Sequence, residues 1–199
     1  MNKNSITTRK LTVMALLTAI SFVLAFLETS LPLIPSFLKI DISALPVLIG
    51  SFALGPWAGV IIALLKNLLH LPMSQTGGVG QLADFLVIGS MSLTAGYVYK
   101  LRHSRMGAFL GCSLGIAVMT VMGSLSNKYI MIPFYSKLMP IDKILEACAS
   151  VNSLIVDVNT YILYAVVPFN IFKGLVISVV TLLIYKKLSP VIHGIRKIR

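Results

Sequence analysis

Two polar residues near the C-terminal end, Asn170 and Lys173, have types and spacing suited to binding a small molecule. They lie three positions apart in an apolar run, so on a helix they share one face. Pro168 precedes them and, because proline has no N–H, it leaves the carbonyl of Tyr164 without its helical donor. An amide, an ammonium and a free carbonyl suit a flat heterocycle with alternating C=O and N–H groups. The structural alternative is that Asn170 only bridges helices and Lys173 pairs with an acid such as Asp84.

A second polar group lies in the apolar run that contains Ser124, Asn127 and Lys128. Ser124 and Lys128 are four positions apart and share a helix face, which Asn127 borders. Asn127 is therefore a candidate ligand residue, and a hydrogen bond between helices is the alternative for it. Lys66 and His70 are also four apart, and we expect His70 to be an interfacial residue rather than a ligand.

The residues from Thr76 to Gly80 read Thr-Gly-Gly-Val-Gly, which superficially resembles a phosphate-binding loop. A P-loop ends in Gly-Lys-Ser/Thr and follows a strand, and neither feature is present. The chain also lacks paired acidic motifs for metal–diphosphate chemistry and a nucleophile–base pair in its apolar runs. Cys112 and Cys148 do not have the spacing of a metal site or a disulfide framework. We therefore predict no catalytic residue, no metal and no cofactor.

The elements that must position these polar residues are apolar enough to require a membrane. Hydrophobic residues make up 57% of the chain and charged residues 12%, whereas a soluble domain is about half apolar and a quarter charged. A chain of 199 residues cannot hide that excess inside a globule. We predict an all-α integral membrane protein that forms a single domain over residues 1–199. Its six transmembrane helices are expected at about 10–29, 43–54, 56–72, 80–100, 106–133 and 160–188.

The distribution of basic residues predicts the orientation of these spans. With the N-terminus in the cytoplasm, the inner segments hold 11 of the 17 basic residues and none of the six acids. This is the positive-inside pattern, and it places both termini in the cytoplasm. The net charge of +11 thus reflects orientation and contact with membrane lipid rather than nucleic-acid binding. In this orientation the costly polar groups lie in the outer half of the membrane, which indicates a cup open to the outside.

A set of short motifs occurs in a fixed order along nearly the whole chain. They are Phe37–Ser43 (Phe-Leu-Lys-Ile-Asp-Ile-Ser) with Leu45-Pro46, Gly55–Gly59 (Gly-Pro-Trp-Ala-Gly), Lys66-Asn67, Gly78–Gly80 with Ala83–Phe85, and Pro168–Gly174 (Pro-Phe-Asn-Ile-Phe-Lys-Gly). Together they resemble the riboflavin-binding S components of energy-coupling-factor (ECF) transporters, the RibU type. The ordered set is specific, although each short motif alone is modest.

The resemblance implies a six-helix substrate-binding subunit of the bacterial plasma membrane without an ATPase of its own. Such S components associate with a transmembrane coupling protein and two cytoplasmic ATPases. Family members contact the coupling protein through an Ala-x-x-x-Ala pattern on the first helix, which Ala15 and Ala19 match. Two small residues one turn apart let another helix approach closely, but ordinary packing within the protein is the alternative for this pair.

The resemblance also implies which residues bind the flavin. Asn127, Asn170 and Lys173 match the residues that hold its pyrimidine edge. The ribityl chain and the dimethylbenzene edge would lie against the outer loops and the upper helix ends. The residues implicated there are Leu38, Lys39, Thr76 and Gly80. Asp84 stands where the family more usually has Asn, so a contact between Lys173 and Asp84 would shift the ligand preference.

The leading hypothesis is a high-affinity subunit that captures riboflavin outside the cell, with FMN and close analogues as further ligands. An S component for a different vitamin is the nearest alternative, because the same fold and helix patch would serve it. A small membrane enzyme acting on lipid, with Asp84 and His70 as acid and base, is disfavoured by the lack of a metal or nucleophile motif. A structural subunit without a ligand is disfavoured by the polar face of Asn170 and Lys173.

Overall fold

The computed structural model describes residues 3–30, 39–74, 76–138, 140–150 and 152–196, and they are nearly all helical. The strands β1 (Thr29–Ser30) and β2 (Lys39–Ile40) form a short antiparallel pair in which Thr29 lies opposite Ile40. The helices are α1 (Lys3–Ala25), α2 (Ala44–Leu54), α3 (Pro56–His70), α4 (Val79–Leu101), α5 (Arg105–Ser126), α6 (Ile132–Tyr135), α7 (Ile141–Ala149), α8 (Val158–Tyr161) and α9 (Val167–Arg196).

Five helical stretches within the described residues are long and apolar enough to cross a membrane, which confirms the predicted all-α membrane class. They are Thr8–Ala25, Pro56–Met73, Val79–Leu101, Arg105–Tyr135 and Val158–Ile184. The remaining predicted span, 43–54, corresponds to α2, which has 11 residues. Eleven helical residues rise only about 16 Å, against a hydrocarbon core of about 30 Å. A sixth crossing and the orientation of the termini therefore stay predictions.

The short helix α2 is buried by close approach of its neighbours. Gly55, with a φ of 109°, makes the turn into α3, a conformation that only glycine adopts readily. A Cβ on Gly59 of α3 would lie 2.0 Å from Ser92 Oγ of α4 and 2.7 Å from Ser51 Cβ of α2. A Cβ on Gly96 would likewise meet Ser51 Oγ at 2.1 Å. Small residues thus bring α2, α3 and α4 together, as is common between membrane helices.

At one end of the bundle, two long helical stretches depart from α geometry. Residues Asn127–Met131 after α5 and Ile162–Val166 before α9 form π-helical turns. Each turn lies next to a proline, Pro133 or Pro168, which cannot donate a backbone hydrogen bond. Irregular turns of this kind occur frequently at functional sites. The C-terminal ends of α1 and α3 and the N-terminal ends of α2 and α4 reach the same end, where they surround a cavity.

A second apolar cluster flanks this end. Cys148 of α7 is fully buried against Ile155, Tyr161 and Val166, so the segment between α6 and α9 packs on the helix that bears Asn170. Burial raises the pKa of the Cys148 thiol to about 11, which keeps it protonated. The segment between α6 and α9 is therefore held in place by apolar packing and is not a loose connection.

Candidate functional site: a polar cavity at one end of the bundle

The cavity has a volume of about 420 Å³, within the range of sites that bind small molecules. It combines apolar walls with convergent polar groups from six parts of the chain. Its apolar lining includes Val87, Met119, Met131 and Phe169. Its polar lining includes Glu28, Lys39, Asp41, Ser43, Lys66, Asn67, His70, Thr76, Gln81, Asp84, Ser126, Asn127, Tyr135, Asn170 and Lys173, with the backbone of Gly80 beside them.

Seven of the eight predicted substrate-binding residues line this one cavity. They are Lys39, Thr76, Gly80, Asp84, Asn127, Asn170 and Lys173. The eighth, Leu38, lies outside the described residues. Ala15 and Ala19 are exposed on α1 and do not line the cavity. The structure thus brings the predicted ligand residues together, and their role in binding stays a prediction.

Asn170 presents an amide to the cavity although its side chain is only 4% exposed. Its Nδ2 donates to Val166 O at 2.8 Å, within its own helical stretch. Among the described residues, Asn170 therefore does not form the helix-bridging bond that was the alternative for it. Gly123 of α5 makes room for the amide, because a Cβ there would lie 2.6 Å from Asn170 Nδ2. The second amide hydrogen and the Oδ1 of Asn170 form no hydrogen bond within the described part of the chain.

Asn127 is held on both sides of its amide. Its Nδ2 donates to Gly123 O at 2.9 Å, and its Oδ1 accepts from Tyr161 Oη at 3.0 Å. Asn127 therefore forms the hydrogen bond between helical stretches that was the alternative for this residue. The second N–H of the Asn127 amide takes part in neither of these two hydrogen bonds. Lys128, by contrast, is exposed, and its Nζ donates to Asn159 Oδ1 at 3.3 Å.

Lys173 is held in the cavity wall by two carboxylates. Its Nζ lies 2.7 Å from Asp41 Oδ2 and 3.8 Å from Asp84 Oδ1. The sequence offered Asp84 as its partner, but Asp84 makes the longer of the two contacts. Asp41 was missed because it falls in a connecting segment rather than in an apolar run, although an acid between two apolar runs was the available signal.

Burial of the Asp41 carboxyl disfavours its charged form, but the nearby ammonium groups of Lys173 and Lys66 outweigh that effect. They hold the pKa of Asp41 well below its ordinary value near 3.8. Asp41 is therefore ionised at neutral pH and forms a true ion pair with Lys173. Its side chain is only 13% exposed, so the pair is shielded from water.

Lys66 and Asp84 form the second half of this charge network. Lys66 is 3% exposed and donates to Asp84 Oδ2 at 2.7 Å and to Ser43 Oγ at 2.8 Å. Asn67 also donates to Asp84 Oδ2, at 3.0 Å. Buried charges persist only when they are paired and hydrogen-bonded. Two lysines and two aspartates balance, so the network carries no net charge.

The cavity mouth carries a weaker polar rim. Lys39 pairs with Glu28 there, and both side chains are more than a third exposed, so the pair contributes about 0–1 kcal/mol. Thr76 Oγ1 accepts from the backbone N–H of Gly80 at 2.9 Å. His70, expected to be merely interfacial, lines the cavity and packs its ring 5.1 Å from that of Phe26. Hydroxyls, amides and an exposed ion pair at the rim suit a hydroxylated part of a ligand.

The arrangement is suited to binding rather than to catalysis. Its buried polar groups are amides, hydroxyls, the imidazole of His70 and ion pairs that neutralise each other, and part of its wall is apolar. Such a site can hold a flat, uncharged molecule whose polar edge meets the amides and Lys173. A buried hydrogen-bonding edge without partners would cost about 1–3 kcal/mol per group, so these partners discriminate between ligands.

The family described as "ECF transporter, substrate-specific component" matches residues 9–185 of this chain. Riboflavin transporter RibU of Staphylococcus aureus (strain TCH60) is 36% identical over 181 residues, covering 91% of this chain and 90% of that protein. Riboflavin transporter FmnP of Bacillus subtilis (strain 168) is 34% identical over 185 residues, covering 92% and 93%. A solved structure described as "Structure and mechanism of the S component of a bacterial ECF transporter" has a TM-score of 0.74 and 34% identity, covering 92% of this chain and 97% of that one. The chain therefore belongs to the substrate-specific components of ECF transporters, which are multi-pass membrane proteins of bacteria and not enzymes.

Proposed function

We propose that this chain is the riboflavin-binding S component of an ECF transporter, which captures riboflavin outside the cell for uptake. The observation that carries the proposal is the convergence of Asn127, Asn170 and Lys173 on one cavity of about 420 Å³. The names of two relatives, both riboflavin transporters, support the same ligand. FMN and close analogues are further candidate ligands of this site.

The chemistry of riboflavin fits the groups that the cavity offers. Its pyrimidine edge carries two carbonyls and an N–H, which need donors and an acceptor. In the proposed complex Lys173 donates to a ring carbonyl, the amide of Asn170 offers both a donor and an acceptor, and Asn127 donates its remaining N–H. Riboflavin is uncharged at neutral pH, which suits a charge network without net charge.

The remainder of the ligand would lie towards the rim and the apolar walls. The ribityl hydroxyls need polar partners, and Lys39 and Thr76 are proposed to supply them. Gly80 and Leu38 are further residues proposed to lie against the ribityl chain or the dimethylbenzene edge. The dimethylbenzene edge is apolar, and burying it contributes about 25 cal/mol per Å² of apolar surface. Asp84, engaged by Lys66 and Asn67, lies beside this set and is proposed to shape the ligand preference.

The proposal includes the membrane topology and the partners. The six proposed membrane helices, which include the short α2, follow from the six apolar runs. The two cytoplasmic termini follow from the concentration of basic residues in the segments assigned to the inner side. The cavity then opens to the outside. Ala15 and Ala19, both exposed on α1, form the proposed contact with the transmembrane coupling protein, and two cytoplasmic ATPases supply the energy. Membrane lipid covers the remaining apolar surface.

The test is a titration of the detergent-purified protein with riboflavin, followed by the loss of flavin fluorescence. We expect saturation at about one flavin per chain in the sub-micromolar range. Asn170→Ala and Lys173→Ala should each weaken binding about tenfold or more, because each removes a polar partner of a buried ligand group. Unchanged affinity in both variants would refute the site. If the folded wild-type protein binds another vitamin instead of riboflavin, the assignment as a transporter subunit stands and the proposed ligand is wrong.

A further inference from the structure

Asp41 joins two distant parts of the chain at the cavity wall. It follows β2 directly, whereas its partner Lys173 lies 132 residues later, on α9. Asp41 Oδ1 accepts from the backbone N–H of Ser43 at 2.8 Å, so the start of α2 orients the carboxylate. Its Oδ2 accepts from Lys173 Nζ at 2.7 Å. The carboxylate is thus held at one oxygen and holds the lysine with the other.

This contact matters because the side chain of a lysine does not by itself fix the position of its ammonium group. Its ammonium sits on a flexible stem of four methylene groups and carries three hydrogens that rotate together. Asp41 accepts one of them, and Asp84 Oδ1, at 3.8 Å, lies on a second side. At least one N–H of Lys173 then remains for a ligand carbonyl, with its direction set by the ion pair.

Asp84 is not equipped to take over this role. Its Oδ2 already accepts from Lys66 at 2.7 Å and from Asn67 at 3.0 Å, which orients the carboxylate towards α3. Its other oxygen is beyond hydrogen-bond distance of Lys173. Without Asp41, the ammonium of Lys173 would retain, among the described residues, only this longer ion-pair contact and would move within the cavity.

We infer that Asp41 is a positioning residue for the ligand: it fixes Lys173 Nζ so that the remaining N–H of the ammonium meets a carbonyl of the bound heterocycle. The inference rests on the proposed function, because it requires a ligand carbonyl at Lys173. Asp41 acts through Lys173 and makes no contact with the ligand in this proposal.

The perturbation is Asp41→Asn, which keeps an oxygen near Ser43 but removes the negative charge. The affinity for riboflavin should fall about tenfold, since a fixed charge-assisted donor becomes a mobile one. Asp142→Asn is the matched control, because it makes the same chemical change and removes one negative charge as well. Asp142 is exposed on α7 and does not line the cavity, so this variant should bind within about twofold of the wild type.

A double-mutant cycle separates positioning from general structural support. Lys173→Met keeps an unbranched, slightly shorter side chain but removes every donor. If Asp41 acts through Lys173, then Asp41→Asn costs about tenfold in the wild-type protein and less than about twofold in the Lys173→Met protein. Equal losses in the two backgrounds would overturn the inference, because a merely structural role does not depend on Lys173.

Two further measurements keep the experiment decisive. Thermal melting and gel filtration establish that each variant is folded. If Asp41→Asn does not fold, Asp41→Glu enters the same cycle, since it keeps the charge but displaces it by one methylene. Absence of riboflavin binding by the folded wild-type protein would refute the proposed function, whereas wild-type binding with additive losses would refute the role of Asp41 alone.

Discussion

Gly123 offers a sharp test of the site because it lines the ligand cavity and carries no side chain of its own. It lies on α5 against the amide of Asn170, and a Cβ built there would be 2.6 Å from Nδ2 and 2.8 Å from Oδ1. Ordinary van der Waals contact begins near 3.4 Å. Gly123→Ala therefore forces the amide of Asn170 to move by about 0.8 Å, while adding no polar group.

That displacement is large on the scale of a hydrogen bond. A bond of about 2.9 Å would lengthen to about 3.7 Å, which is no longer a hydrogen bond. A buried ligand group left without its partner costs about 1–3 kcal/mol, so riboflavin affinity should fall about 5-fold to 140-fold. The loss should not exceed that of Asn170→Ala, which removes the amide altogether. Folding should change little, because the displaced atoms are the end of a flexible side chain.

The assay is riboflavin fluorescence quenching on purified protein, with thermal melting beside it. Gly115→Ala is the control, since it makes the same substitution about 12 Å earlier on α5. Its Cβ would lie 3.1 Å from Met91 O and does not reach the cavity, so riboflavin affinity should stay within about twofold. Wild-type affinity in Gly123→Ala, with Asn170→Ala strongly impaired, would refute the reasoning about the amide.

Three other outcomes follow from the structure. Asp84→Leu should destabilise the protein by about 3–5 kcal/mol, because it leaves the buried Lys66 without its ion-pair partner. Adding Lys66→Met should restore most of the lost melting temperature. If it does not, the pairing of Lys66 with Asp84 is contradicted. Because the pKa of Asp41 is lowered, its ion pair stabilises the protein fully at pH values above the ordinary carboxyl pKa near 3.8 and progressively less as the pH falls below that value. The melting temperature of the wild-type protein should therefore drop in acid, and that of the Asp41→Asn variant should drop less. Ala15→Trp or Ala19→Trp should leave riboflavin binding intact and stop uptake into cells; continued uptake would remove α1 as the docking face.

Much of the site was predictable from residue type and helical spacing. Asn170 and Lys173 share a helix face by their separation alone, and polar groups in apolar runs are costly enough to indicate function. Asn127 was found by the same argument. All three line the cavity, as do Thr76 and Gly80, which the resemblance to a known family implicated.

The sequence by itself determined the membrane class, because 57% hydrophobic residues in a chain of this length cannot be buried from water. Helical periodicity also determined which polar residues share a face. The tertiary structure decided which faces meet: it paired Lys173 with Asp41 across 132 residues and placed His70 at the cavity. It also buried α2, the short span that the sequence predicted at 43–54, among its neighbours. The physical reason is that spacing along one helix sets local directions, whereas ion-pair partners and helix burial depend on how separate elements pack.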